Sequence, residues 1–390
     1  MSKVLVLAPT PFFSDRGCHL RIYEEARWLS RLGVKLRLLT YPAGRDVSGL
    51  EIRRAGAWLG YPKLEAGPSW RKPLVDLALL RLVRRQLLEF SPDLIHAHLH
   101  EGAFIALLAA GRELPVVLDY QGSLSRELAE HQAFFRAWPL SGLMRKTEAW
   151  INSRADQILL NSAALLPELE EKVRPKAMVV GDGVDTERFV PQEAEPELVR
   201  KLGLAEGMPI VVYLGLLNRY QGVDLMLRSA QILAEKKIRA QFLVMGYPLG
   251  DYPARAARMG LSETVKFPGR IDYFKAEKFL APGRVAAAPK IASSEANGKI
   301  LNYLALGLPL VCFDRPVNRE LAGEAAEYAP FHPQDQEQNA QNFARGLERL
   351  LKDPGRRREL AEQGRARAEK YFSWEKVAEK ISACYREMLS

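Results

Sequence analysis

Residues 293–311 read SSEANGKILNYLALGLPLV, and their polar types are suited to holding an anion. Ser293, Ser294, Glu295 and Asn297 lead to Gly298 and Lys299, after which ILNYLAL supplies a helical apolar period. Gly307 and Pro309 end that helix, and LPLVCF reads as a buried strand. A glycine just ahead of a helix start leaves backbone N–H groups pointing outward, where they can cradle an anion. The same glycine would also serve merely to ease a tight turn. A second group lies in HAHLHEG at 96–102. Strand alternation there places His96, His98 and His100 on one face, a set that can bind zinc with Glu101 or simply line a polar strand end. In SDRGCHLRIYEE at 14–25, Gly17 precedes a helical pattern and permits close backbone approach, or acts as a plain cap.

Elements that would position these groups recur along the whole chain. KVLVLAP, VKLRLLTY, LIHAHLH, PVVLDY, QILLNS and MVVGDG read as strands, followed after position 200 by PIVVYLG, AQFLVMG, TVKFPG, RVAAAPK and LPLVCFD. Helical patterns such as HLRIYEEARWLSRLG and VDLMLRSAQILAEKK separate them. Such alternation predicts parallel sheets covered by helices on both faces. It occurs twice, divided near GDGVDTERFVPQEAEPE. Ligands are then expected at the carboxyl ends of the strands.

The composition narrows the class. A chain of 390 residues exceeds one core, so two domains are expected. Apolar content of 47% and charged content of 26% are those of a globular protein, neither disordered nor fibrous. No run is long enough to span a bilayer, and MSKVLVLAPT reads as a first strand rather than a secretory leader. Cys18, Cys312 and Cys384 lie too far apart for a disulfide framework, which fits a reducing cytoplasm. The net charge of +9 has no basic tail; it suits an anionic ligand or membrane, and no nucleic-acid signature accompanies it. One helical pattern, WRKPLVDLALLRLVRRQLLEF at 70–90, sets Arg81, Arg84 and Arg85 on one face and Val75, Leu79, Leu82, Val83 and Leu87 on another. It reads as a scaffold helix with its arginines in water, or as a helix resting on an anionic membrane.

Together these segments resemble the GT-B-fold glycosyltransferases, specifically family 4, retaining enzymes that use nucleotide-sugar donors. The resemblance runs from Gly17 through PDLIHAH at 92–98, GDGVDTERF at 181–189 and YLGLLNRYQGVDLML at 213–227 to SWEKVAEKISACYREML at the end. It implies an α/β architecture of two Rossmann-like doubly wound domains facing across a cleft. An acceptor-binding domain would cover 1–185 and a donor-binding domain 186–371, with the helix 372–390 crossing back onto the first.

The same resemblance assigns site residues. Asn302 falls where the family carries the glutamate that binds the ribose hydroxyls, and a neutral amide can still bridge a diol. The glutamate near the transferred sugar aligns with Ser294, which leaves the adjacent Glu295 as the candidate. The family's diphosphate-binding arginine and lysine align with Leu216 and Gln221, in the turn that opens with Gly215. Lys290, Lys299 and Arg219 are the available replacements, with Asn297 and Gly298 completing the loop. Arg270 and Ile271, in FPGRIDY, are expected to flank the base. Gly17 would approach the donor phosphates or the acceptor, and His98 and His100 would line the acceptor side.

Where family members often place a histidine beside the reacting sugar, this chain has Gln121, which can hydrogen-bond a hydroxyl but not act as a base. Asp119 could supply a carboxylate there, or cap the following turn. In retaining transfer by a front-face route the leaving diphosphate accepts the acceptor's proton, so no protein base is required. The implied activity is transfer of a sugar, from a donor such as a UDP- or GDP-sugar, to a hydroxyl acceptor, with no metal and no further cofactor. The enzyme would be cytoplasmic, with peripheral contact at the inner face of a membrane. Phosphorolysis shares the fold, but the chain shows no pyridoxal-phosphate lysine motif. The alternative from another class is a non-catalytic nucleotide-sugar binding protein on the same fold.

Overall fold

A computed structural model describes residues 2–14, 17–56, 71–125, 140–292 and 297–390. The chain divides into two compact units: Met1–Asp182 with Trp374–Ser390, and Gly183–Ser373. The first is built on a seven-stranded sheet in the order β3-β2-β1-β4-β5-β6-β7. Its strands are β1 (Lys3–Ala8), β2 (Lys35–Thr40), β3 (Ile52–Arg54), β4 (Leu94–His98), β5 (Val116–Tyr120), β6 (Gln157–Leu160) and β7 (Ala177–Val179). All pairings are parallel. The second unit has six parallel strands in the order β10-β9-β8-β11-β12-β13. They are β8 (Ile210–Leu214), β9 (Gln241–Met245), β10 (Val265–Gly269), β11 (Val285–Ala288), β12 (Leu310–Phe313) and β13 (Glu327–Ala329).

The two-unit, doubly wound α/β architecture expected from the sequence is therefore observed. Central strands such as KVLVLA, LIHAH and VAAA are buried almost throughout, since helices cover both faces and leave no polar side to the sheet. The three-residue edge strands β3 and β13 carry no continuous apolar run and gave no strand signal. Strand order reverses between β1 and β4 in the first unit and between β8 and β11 in the second. Reversal leaves adjacent loops diverging to opposite faces, and the gap between them is where such sheets bind ligands.

Two helices give the first unit its particular character. The closing helix (Trp374–Leu389) belongs to it and packs on the opening helix (Gly17–Arg31), burying Trp374, Val377, Ile381 and Tyr385. The helix Lys72–Phe90 buries Val75, Leu79 and Val83 as its pattern predicted. Its outer face is less simple than a stripe of arginines. Leu74, Leu77 and Leu88 are exposed together with Arg81 and Arg84, at alternating spacings of three and four.

In the second unit the loops after β8 and β11 touch backbone to backbone. Gly222 adopts φ 76°, and a Cβ there would sit 1.9 Å from the Pro289 carbonyl oxygen. Gly222→Ala should cost at least about 1–3 kcal/mol, because a left-handed alanine adds strain to the clash. Urea unfolding of the variant measures this, and a midpoint equal to that of the native protein would contradict the close approach.

Candidate functional site

At the β8/β11 reversal the chain leaves β8 through Gly215 and Leu216 and enters a short turn, Arg219–Gln221. The Asn218 side chain caps that turn by accepting from the Gln221 N–H at 2.9 Å. The backbone N–H groups of Ile291 and Ala292, past β11, donate to the Tyr220 carbonyl at 3.0 and 3.2 Å. These bonds sew the two loops together. Lys299 opens the helix Lys299–Ala305 and reaches across the gap. Its Nζ donates to Gln221 Oε1 at 2.6 Å and to Asn297 Oδ1 at 3.2 Å, and lies 5.3 Å from the Tyr213 ring centre. A side chain on Gly215 would meet the Lys299 stem, its Cβ lying 3.0 Å from Cε, so glycine leaves the lysine its path. Asn297 is buried and donates to Asn318 Oδ1 at 3.1 Å; Asn318 in turn donates to the Phe313 carbonyl, tying the loop to β12.

The structure thus gathers Gly215, Gln221, Asn297, Gly298 and Lys299 around one gap. Asn302 follows Lys299 by one helical turn and is half-buried. Lys290 lies two residues beyond the last residue of β11, not at the strand's end, and is 3% exposed. Arg219 is exposed on the capped turn. After β10, Arg270 stacks on the Tyr247 ring at 5.1 Å, beside the buried Ile271. Glu295 lies outside the described residues.

In the first unit the structure corrects the histidine reading. Strand β4 ends at His98, and Leu99, at φ 65°, turns the chain into the helix Leu99–Ala110. Alternation therefore stops before His100. The His96 and His98 rings stack, with centroids 4.6 Å apart. His100 packs edge-on against Tyr120 and lies 3.9 Å from Glu148. Glu101 leaves the histidines too, accepting from the Tyr41 hydroxyl at 2.8 Å and pairing with Lys72. His98 and His100 are both buried, so neither presents an open polar face for an acceptor; Gln121, at the end of β5, is only half-buried.

Asp119 neither caps a turn nor stands as an open carboxylate. It is fully buried against Arg21, whose Nε lies 3.2 and 3.0 Å from its two oxygens and whose Nη2 lies 3.0 Å from Oδ2. The guanidinium also donates to the Gly181 carbonyl at 2.7 Å, stands 2.7 Å from Glu25 Oε1, and sits 5.9 Å from the Trp374 ring. Burial opposes ionisation of Asp119, yet the guanidinium and the nearby imidazoles outweigh it and hold the carboxyl far below its usual range. Glu25 goes the other way: burial, with Asp119 close by, raises it well above the usual range despite Arg21. Burial, and then the neighbouring His96, keep His98 neutral. Gly17 begins the opening helix at an exposed position, and nothing lies within 4 Å of where a Cβ would stand. Sequence reasoning missed Arg21, Glu25 and Tyr385. Polar residues fall all around the opening helix, so its pattern does not tell which charges point inward.

Two doubly wound units, the second with glycine-lined loops and a lysine at its reversal, define the GT-B class of transferase. Residues 16–183 match the glycosyl transferase 4-like domain and residues 194–367 match glycosyl transferases group 1, so the chain belongs to the group 1 glycosyltransferases of the GT-B fold. It is 24% identical to the sulfoquinovosyl transferase of Arabidopsis thaliana, over 97% of this chain and 72% of that one. Its fold is similar to sucrose-phosphate synthase from Thermosynechococcus elongatus, with a TM-score of 0.82 at 17% identity over 100% and 99% of the two chains. It is also similar to Anabaena HepE in complex with UDP-glucose, with a TM-score of 0.76 at 16% identity over 99% and 100%.

Arg21→Gln should destabilise the first unit by about 3–5 kcal/mol, because it strands the buried Asp119 carboxylate without its cation. Chemical denaturation reads this directly. A loss below about 1 kcal/mol would mean that water reaches the pair, as at a surface ion pair.

Proposed function

We propose that this glycosyltransferase moves a sugar from a nucleoside-diphosphate-sugar donor to a hydroxyl acceptor with retention of anomeric configuration. The observation that carries this reading is Lys299, held across the β8/β11 gap by Gln221 and Asn297. A diphosphate offers an ammonium charged oxygens, which bind it more strongly than the neutral amide oxygens of Gln221 and Asn297 do. Lys299 would exchange them for the donor's phosphates, with backbone N–H groups near Gly215 and Gly298 adding neutral donors. The cation then comes from the loop after β11, while the turn after β8 supplies Leu216 and Gln221. Lys290 and Arg219 stand nearby as further positive charge. Asn302 would bridge the ribose hydroxyls, and the main chain at Arg270 and Ile271 would read the base.

Catalysis in this reading is positioning plus stabilisation of the leaving diphosphate, which accepts the acceptor's proton as the new bond forms. Gln121 would orient a hydroxyl, and Glu295 would lie near the transferred sugar. No metal or other cofactor takes part at the reacting centre. A non-catalytic nucleotide-sugar binding protein is favoured by the neutral side chains at Leu216, Gln221 and Asn302, and donor turnover separates the two readings.

A membrane contact has support of its own. The exposed face of Lys72–Phe90 continues onto the neighbouring helices, where Phe104 meets Trp150 edge-on at 5.9 Å and Arg84 donates to the Leu108 carbonyl at 3.3 Å. Phe104, Leu108, Leu143 and Trp150 are exposed beside Lys146 and Arg154. Aromatic and aliphatic side chains among cations suit the interface of an anionic bilayer, which supports the reading of a peripheral contact at a cytoplasmic membrane face. Among the described residues no helix is long and apolar enough to cross a membrane.

With donor and acceptor supplied, NMR of the first product should show the donor's anomeric configuration, and an inverted linkage would remove the retaining assignment. In the same preparation Lys299→Ala should weaken nucleoside-diphosphate binding by about 1–3 kcal/mol, the scale of a charge-assisted hydrogen bond. Unchanged calorimetric affinity would make Lys299 a structural lysine only. Changing Arg81, Arg84 and Arg85 to Gln should reduce sedimentation with phosphatidylserine vesicles while folding is preserved, because each interfacial cation contributes about 1 kcal/mol. Native protein that ignores such vesicles at low salt would leave this face a scaffold surface.

A further inference from the structure

The buried groups around Arg21 are not all satisfied by one another. His96 Nδ1 bonds to the Tyr385 hydroxyl at 2.5 Å, which turns Nε2 inward. That Nε2 and Glu25 Oε2 have no hydrogen-bond partner, although both residues are about 1% exposed. They face each other at 4.0 Å; His96 Nε2 is 3.8 Å from Asp119 Oδ2, and His98 Nε2 is 3.8 Å from Glu25 Oε2. These separations are too long for hydrogen bonds. These three edges are a few tenths of an ångström longer than the edges of about 3.3–3.4 Å that tetrahedral zinc bonds of about 2.0–2.1 Å imply, and the four candidate ligand atoms all lie within 4.8 Å of one another, so the ion would draw them inward. Two imidazoles and two carboxylates are a zinc-type set.

We propose that Glu25, His96, His98 and Asp119 bind one zinc ion inside the first unit, as a structural site fixing the opening helix to β4 and β5. All four ligands come from the protein and all four are buried, which is the closed arrangement of a structural site rather than a catalytic one. The outer contacts fit. With its Nδ1–H donating to the Tyr385 hydroxyl, His96 leaves Nε2 bare for the ion, and Arg21 orients the Asp119 and Glu25 carboxylates. Gln121 lies 3.4 Å from His98 Nδ1, and with its amide oxygen turned to that nitrogen it accepts the proton and frees Nε2. Charge balances too: a divalent ion and Arg21 match Glu25, Asp119 and the part-exposed Asp182, which lies 3.6 Å from the same guanidinium. This set differs from the three-histidine arrangement suggested by strand alternation, since the carboxylates come from other elements.

Elemental analysis of the purified, desalted full chain should find about one zinc per molecule. Glu25→Gln and His96→Ala should each lose it. Protein unfolded and refolded with zinc should melt several degrees above protein refolded with chelator, and refolding with cobalt should give the visible absorption of a tetrahedral ion. Zinc at background with no melting difference overturns the proposal and leaves a metal-free ion-pair cluster. Zinc retained in both variants overturns it equally, as an ion bound elsewhere. Should His96→Ala fail to fold, the near-isosteric Glu25→Gln and the native metal content still decide.

Discussion

One guanidinium sets the geometry of the first unit. Arg21 enters the interior from the opening helix and meets Asp119 on β5, Glu25 one turn further along its own helix, and the Gly181 carbonyl at the end of the unit's first segment. The Trp374 ring of the closing helix covers it. Desolvating these charges costs several kcal/mol each, and only dense mutual pairing offsets that cost. A displacement of any one partner would leave a charge without compensation. The pair is thus less a source of net stability than a constraint on where two helices and a strand end must lie.

The second unit is organised on a different principle. Its site is shaped by backbone proximity, with Gly222 against Pro289 and Tyr220 accepting from Ile291 and Ala292. Such contact fixes the loops without charge. Lys299 adds a cation to this gap, where its Nζ donates to the amide oxygens of Gln221 and Asn297.

That contrast bears on catalysis. A transferase that relies on its leaving group as base needs accurate placement of donor and acceptor more than it needs a titrating side chain. Neutral Gln121, Asn302 and Gln221 are compatible with such a scheme. Asp119, the carboxylate on the acceptor side, is engaged in holding the fold.

The sequence alone determined the doubly wound class and the strands that form it, because buried parallel strands write themselves as continuous apolar runs between helical periods. It also marked the stretch 293–311, whose polar residues stand ahead of a helical pattern, and the turn that opens with Gly215. It did not reveal the three-residue strands β3 and β13, whose pairing comes from neighbours rather than from their own pattern. The fate of the histidines was equally hidden: a single left-handed residue, Leu99, ends the alternation that the letters HAHLH suggest. Tertiary structure alone decided that Arg21, Glu25, His96, Asp119 and Tyr385, drawn from distant parts of the chain, share one buried space. Local pattern records which residues avoid water, while the pairing of buried charges depends on which strands and helices become neighbours.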